Sequence, residues 1–426
     1  MRSGLYATLV EAGLMIPHDE VDAGYAVADG AYRVIRPEHV EFISYPYEWC
    51  FSQLKDAALT TLAIQRTAMD HDMSLRDASA YNIQFHRGRP VLIDTLSFEK
   101  LREGAPWVAY RQFCQHFLAP LALISYRDAR LGQLSRIHID GIPMDLAATL
   151  LPMRARFRFP LLLHIFLHAR SQRRQARAPA TGRTTNRPFT LRAFRGLIDS
   201  LTAAVRKLSW QPGPSAWSGY YAEALSYTPE ALDHKMSLVA AFIQVADPRH
   251  VWDLGANTGL FSRVASDKGI PTISFDMDPA AVEVSYRRVV TESEMGVLPL
   301  IMDLTNPSPS IGWENRERLS LLERKPAGMA LALALIHHLV IGNNVPLDRL
   351  AGFLRGMCTW LAVEFVPKSD PMAQILLATR EDVFPDYTQE GFEKAFEAEF
   401  AIERREPIRG SQRVLYLMRG RRSDGH

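Results

Sequence analysis

Residues 251–263 read VWDLGANTGLFSR: an apolar pair, Asp253, then Gly255, Asn257 and Gly259 ahead of a segment that can open a helix. A turn of this kind brings backbone close to a bound ligand. Two further apolar runs end in acids. SFDMDP puts Asp276 at a strand tip, where a carboxylate can accept hydrogen bonds from both hydroxyls of a ribose. LIMDL puts Asp303 where it could accept from an adenine amino group. These residue types suit an adenosine-bearing ligand.

Two such ligands fit the acids alone, a dinucleotide and S-adenosylmethionine. The dinucleotide fingerprint G-x-G-x-x-G uses its third glycine to let helix and strand pack closely. Here the spacing is Gly255-x-Asn257-x-Gly259, and the later fingerprint position is Phe or Ser. The acid also precedes the first glycine by two.

The elements that must hold these residues alternate. From about residue 215, helical segments come first, SGYYAEAL and PEALDHKMSLVAAFIQVA. Short apolar runs then alternate with longer helical ones: HVWDLG, TISFD, VLPLIM, GMALALAL, WLAVEF, FAIERREP and RVLYLMRG. Alternation of this kind indicates an α/β sheet. Only IRGSQ joins the last two runs, too short for a parallel crossover, so they must form an antiparallel hairpin. The expectation is seven strands, six parallel and the last reversed.

The block VWDLGANTGLF, ISFDMDPAAVEVSYRRV, LPLIMDL and ALALIHHL resembles a class I S-adenosylmethionine-dependent methyltransferase, over roughly residues 215–426. That resemblance implies a Rossmann-like sheet with an antiparallel last strand. It implies that Asp253, Gly255 and Gly259 approach the methionine end of the cofactor, with Asp276 on the ribose and Asp303 on the adenine. Asn257 and Leu304 belong to the same cofactor set. Asn257 stands where the family more often has Gly, and Asn tolerates unusual dihedrals better than most residues. The family places the residues after the fourth strand against the transferred group. Here they read LIHHLVIGNN, so His338 or His337 could take a proton, imidazole titrating near neutrality. Glu364, ending the fifth strand, could bind a substrate hydroxyl or assist a histidine. Trp217, Tyr220, Tyr221 and Tyr227 could line the acceptor pocket, with Lys235 at its rim and Phe384 and Tyr387 as weaker candidates.

Some acceptors fall away. Methylation of a base amino group usually uses a D/N-P-P-Y/F tetrapeptide after the fourth strand, and only NPSP occurs, after the third. Cytosine-carbon methylation needs a nucleophilic cysteine, commonly after proline, and no Pro-Cys pair is present. Nucleic acid is therefore not the expected acceptor. A small molecule or a saccharide oxygen is. The whole pattern resembles a bacterial group of methyltransferases with a long N-terminal region, sometimes labelled nodulation-related.

The first half carries its own constellation. A helical stretch, SQLKDAALTTLAIQRTAMDHD, has Leu54, Ala58 and Leu62 at four-residue steps. It leads to RDASAYNIQFHRGRPVLIDTLSF, which resembles the protein-kinase catalytic loop: Asp77, Asn82 five on, then Asp94 after a hairpin. The resemblance implies a catalytic base at Asp77 and magnesium ligands at Asn82 and Asp94. However, Leu75 replaces the usual histidine, and Thr-Leu follows Asp94. Barely fifty residues precede the helix, without a glycine-rich loop. The expectation is a kinase-like, mainly helical module without phosphotransferase activity.

Composition bounds the rest. The 426 residues are 47% hydrophobic and 23% charged, with a formal net charge of +2, so the chain as a whole is no polyanion binder. Three scattered cysteines (Cys50, Cys114, Cys358) suggest neither zinc nor a disulfide framework. No signal peptide and no membrane span is expected, so a cytoplasmic protein is the default. Charge is uneven: between Asp145 and Asp199 there are eleven arginines, Arg154 to Arg195, and no acid. That stretch could face an anionic lipid, a nucleic acid or an acidic partner. The expected organisation is a kinase-like module over 1–150, a basic helix and linker over 151–204, and a methyltransferase domain over 205–426. The rival readings are a cofactor-binding interaction protein without turnover and a phosphotransferase in the first half.

Overall fold

Leu54, Ala57, Ala58, Thr61, Leu62 and Gln65 recur every three or four residues, and that stripe buries one side of the helix Phe51–Asp70. The computed structural model describes residues 3–26, 30–168, 170, 189–213, 227–378 and 380–421. By contact density the chain divides into two units, Met1–Gln211 and Pro212–His426.

The first unit combines helices with three two-stranded antiparallel sheets. Strand β1 (His18–Val21) pairs with β2 (Val34–Pro37), β3 (Met73–Leu75) with β6 (Phe98–Lys100), and β4 (Ile83–His86) with β5 (Arg89–Leu92). The β4–β5 hairpin turns through Arg87 and Gly88, both at positive φ, the turn that matches strand twist. Gln65, buried on the long helix, accepts from the Leu75 N–H at 2.7 Å and so fixes β3 against it. The helix Leu191–Lys207 starts at Thr190, whose hydroxyl accepts from the Ala193 N–H. Lys55 donates to the carbonyls of Arg206 and Leu208, at 3.0 and 2.8 Å. Those bonds hold residues beyond 204 in the first unit, and its edge lies past the expected boundary. Residues 171–188 of the expected linker lie outside the described residues. Among the described residues, no helix is long and apolar enough to cross a membrane.

The second unit is built on one sheet. Its strands are β7 (Val251–Leu254), β8 (Thr272–Asp276), β9 (Val297–Ile301), β10 (Ala327–Ala332), β11 (Cys358–Phe365), β12 (Phe400–Pro407) and β13 (Val414–Gly420), in the order β12-β13-β11-β10-β7-β8-β9. β13 runs antiparallel to both neighbours, while β9, β8, β7, β10 and β11 pair in parallel. Every residue of β7 is buried, as parallel strands covered on both faces require. Helix Pro229–Ala246 buries Val239, Phe242 and Ile243 in a core with Val251, Met329, Leu331 and Leu415.

Strand order reverses between β7 and β10. Crossovers lead outward from β7 through β8 to β9, and the chain then returns to the other side of β7. In open α/β sheets the crevice past the strand ends at such a switch point is the ligand site.

Candidate active site

Gly255, Asn257 and Gly259 leave β7 with φ of 72°, 52° and 79°, a left-handed path that suits Gly and Asn. At Gly255 an added Cβ would also meet Leu335 at 3.1 Å. Arg263 locks the turn: its guanidinium donates to the carbonyls of Thr258 and Gly259, and Glu294 holds its Nε at 2.7 Å and Nη2 at 2.8 Å.

Past these strand ends lies a cavity of 330 Å³, within the usual range for a small-molecule site. Gly255 and Asn257 line it from β7, Asp276 and Met277 from β8, Met302, Asp303 and Leu304 from β9, and Leu333 to Leu335 and His338 from β10. Lys235 reaches it from the helix before the sheet. Asp253, Gly259, His337 and Glu364 do not line it.

Asp276 Oδ2 accepts from the Asn257 N–H at 2.7 Å and Oδ1 from the Asp278 N–H at 2.8 Å. A carboxylate has about four acceptor sites, so each oxygen keeps one for a ligand. Burial pushes this carboxyl up to about 6, against the two N–H donors. Asp303 Oδ1 accepts from the Thr305 N–H and hydroxyl, at 2.8 and 2.6 Å, which leaves Oδ2 open. The thioethers of Met277 and Met302 and the side chains of Leu304 and Leu335 give the cavity apolar walls. Two acids at adjacent strand ends between apolar walls suit a ribose and an adenine.

Asp253 sits behind this surface, 2% exposed, its Oδ2 accepting from Ser262 Oγ at 2.6 Å. It braces the helix after the turn, and burial raises its carboxyl to about 6.

The structure places His337 and Glu364 outside the cavity lining. His337 is fully buried, and among the described residues neither ring nitrogen has a hydrogen-bond partner. Burial holds it well below the usual imidazole range, and its side chain does not line the cavity. His338 does line the cavity, its ring tilted against that of His337 with centroids 4.1 Å apart and with burial lowering it to about 4.

Glu364 is enclosed by cations. Lys235 Nζ lies 2.6 Å from its Oε2, and Arg413 Nη1 lies 3.5 Å from its Oε1. Arg413 also forks onto Asp370, Nε to Oδ2 at 2.7 Å and Nη2 to Oδ1 at 2.9 Å. Tyr227 joins all three groups: its hydroxyl donates to Glu364 Oε1 and accepts from Lys235 at 2.9 Å and Arg413 at 2.7 Å. Its ring lies 4.6 Å from Lys235 Nζ and 4.5 Å from Arg413 Cζ, within cation–π range. Two cations and two carboxylates make the cluster neutral. Burial favours a protonated Glu364, but Lys235 and Arg413 outweigh it and hold the carboxyl below its usual range. Glu364 therefore balances buried charge, and it does not line the cavity.

Trp217, Tyr220 and Tyr221 lie outside the described residues. Phe384 is half-buried, and Tyr387 is buried, its hydroxyl donating to the Val366 carbonyl at 2.9 Å, a packing role. Arg413, Asp370 and Arg380 were not anticipated. Arg380 lines the cavity, and its Nη2 donates to the Gly342 carbonyl at 3.0 Å. Lys235 shares the buried stripe Ala231, Lys235, Val239 and Phe242, a spacing that marks it as an interior cation.

In the first unit, Asp94 Oδ1 accepts from the Leu96 N–H at 2.8 Å and Oδ2 from Ser97 Oγ at 2.6 Å. Asn82 donates to the same Ser97 hydroxyl at 3.3 Å, and Asp77 Oδ1 accepts from the Ser79 N–H at 2.9 Å. Asn82 and Asp94 thus meet through Ser97, while Asp77 serves its own turn.

No family model matches the chain. Nodulation protein NoeA of Rhizobium meliloti (strain 1021) is 37% identical over 414 residues, 96% of this chain and 87% of that protein. This chain belongs to the NoeA family. Solved structures resemble the NoeA-family chain only loosely. The bifunctional kinase-methyltransferase WbdD has 17% identity and a TM-score of 0.31 over 44% of this chain and 39% of its own length. The N-methyltransferase NodS of Bradyrhizobium japonicum WM9 has 9% identity and a TM-score of 0.32 over 46% of this chain and 98% of its own. Scores this low leave the NoeA-family sheet and cavity to be read from their own geometry.

Proposed function

We propose that residues 212–426 transfer a methyl group from S-adenosylmethionine to an oxygen of a small molecule or saccharide. One observation carries this reading: Asp276 and Asp303 end adjacent parallel strands and both face the cavity at the strand-order reversal, beside the left-handed turn Gly255–Asn257. Asp276 would hold the ribose and Asp303 the adenine amino group, with Met302 and Leu304 against the ring faces. Lys235, whose charge Glu364 balances, keeps one N–H beyond its bonds to Glu364 and Tyr227 and would donate it to the carboxylate at the methionine end. When bound, the cofactor supplies an electrophilic methyl group on a sulfonium. The chain's task is to align the acceptor in line with it and exclude water. His338 stays a neutral imidazole at neutral pH, because burial lowers it to about 4. Such a weak base suits accepting a proton as an acceptor hydroxyl releases it, not ionising the hydroxyl beforehand.

Calorimetric titration of the purified chain tests the cofactor. S-Adenosylmethionine is expected to bind and NAD is not; the reverse result would sink the reading. Ribose hydroxyls donate to Asp276, so binding needs its anion. Affinity is therefore expected to be level above pH about 6 and to fall toward roughly tenfold per unit below it.

We further propose that the first unit's kinase-like loop has no phosphotransferase activity. Both Asp94 oxygens and the Asp77 carboxylate already serve local turn donors. Titration with ATP and magnesium is expected to give no heat. Nucleotide binding abolished by Asp94→Ala would reverse this conclusion.

A further inference from the structure

The segment Met153–Arg170 combines exposed apolar side chains with exposed arginines. Phe157 is 85% exposed and Phe159 is 71% exposed, and Leu163 and Leu167 follow at four-residue steps on the outer side of the helical run. Its inner side carries Leu161, His164 and Ile165, all buried. His164 fixes that side at both ring nitrogens, Nδ1 at 2.8 Å from Tyr110 Oη and Nε2 at 2.9 Å from Ser200 Oγ. The outer stripe is therefore presented by an anchored element.

Arg154, Arg156 and Arg158 are exposed immediately before it, and Arg170 after it. None of the four pairs with a carboxylate among the described residues. Arg154 donates to the Tyr126 carbonyl, and Arg156 lies over the Phe166 ring. The sequence holds no acid from 146 to 198. Exposed apolar surface next to unpaired charge of one sign marks a contact face.

We propose that this face docks on the surface of an anionic lipid bilayer, independently of methyl transfer. Phe and Leu on one side of a helix, flanked by arginine, enter the headgroup–acyl boundary while the cations meet anionic headgroups. A nucleic acid would use the arginines and could stack on the phenylalanines. It offers nothing to the aliphatic Leu163 and Leu167, which hydrocarbon accommodates.

Co-sedimentation of the full chain with phosphatidylglycerol-containing vesicles tests this, with pure phosphatidylcholine vesicles as the control. Binding is expected to the anionic vesicles at roughly physiological ionic strength and to weaken as salt rises. Replacing Arg154, Arg156 and Arg158 with Ala is expected to weaken it roughly fivefold per arginine. Phe157→Ser with Phe159→Ser is expected to weaken it at least roughly tenfold while leaving the melting temperature unchanged, since both side chains are exposed. Absence of vesicle binding overturns the proposal. Binding that survives both sets of substitutions overturns it also, because another surface is then responsible. Loss with the arginine variant but not the phenylalanine variant overturns it, because the vesicle contact is then electrostatic alone and the apolar stripe takes no part.

Discussion

Asp276→Ala is expected to weaken S-adenosylmethionine binding roughly hundredfold or more, as two hydrogen bonds to a charged acceptor are lost. The substitution acts twice. It removes the acceptor for the ribose, and it frees the Asn257 N–H that the carboxylate holds at 2.7 Å, loosening the left-handed turn. Asp276→Asn separates the two effects: one carbonyl oxygen remains for the turn, while the amide nitrogen now faces a donor. An intermediate loss is expected there. Calorimetric titration at pH 8 and thermal melting check both variants. Unchanged affinity in Asp276→Ala with an unchanged melting temperature would remove Asp276 from the site and the ribose assignment with it.

Glu364→Gln is expected to cost about 3–5 kcal/mol of stability, because Lys235 and Arg413 would then share too little buried negative charge. In a unit of this size that corresponds to a fall in melting temperature of roughly 10 °C. Adding Lys235→Met should recover much of the loss, since it removes the cation left uncompensated. The double-mutant cycle therefore measures the pair itself. The sign of the pH dependence follows from the depressed Glu364 carboxyl. Its contribution is fully present at neutral pH and is lost as the pH falls below the ordinary glutamate value of 4.5 and through its lower folded value. A Glu364→Gln variant that melts with the parent would show that the cluster is not ionic.

The strands of the second unit were legible because each is a short apolar run bounded by turn residues, and their bounds fall within three residues of those runs. The final hairpin followed from the length of IRGSQ. Asp276 and Asp303 were legible as acids at strand ends. The charge cluster was not, since it joins Tyr227 and Lys235 to residues more than a hundred positions away. Glu364 looked functional for the same reason, a carboxylate at a strand end whose neighbours were unknown. His337 and His338 are adjacent in sequence, yet only the second faces the cavity. That difference is set by the wide π-helical turn at His338–Gly342, not by residue type. In the first unit the helix was readable from its stripe. The hairpin before Asp94 was expected and is the β4–β5 sheet, while the β1–β2 and β3–β6 sheets were not readable, because strands of three or four residues carry too little periodicity.

The position of β13 has a consequence for synthesis. It is made after the other six strands of its sheet, yet it inserts between β11 and β12. As the chain emerges, β12 has no neighbour to join until β13 arrives, so the sheet closes from the inside at the end. Arg413, which precedes β13, completes the charge balance around Lys235 only then. A chain interrupted before Val414 would present the bare edge of β11, a surface ready to pair with another copy. Pairing of that kind leads to aggregation, so β13 guards the sheet against association as well as completing it.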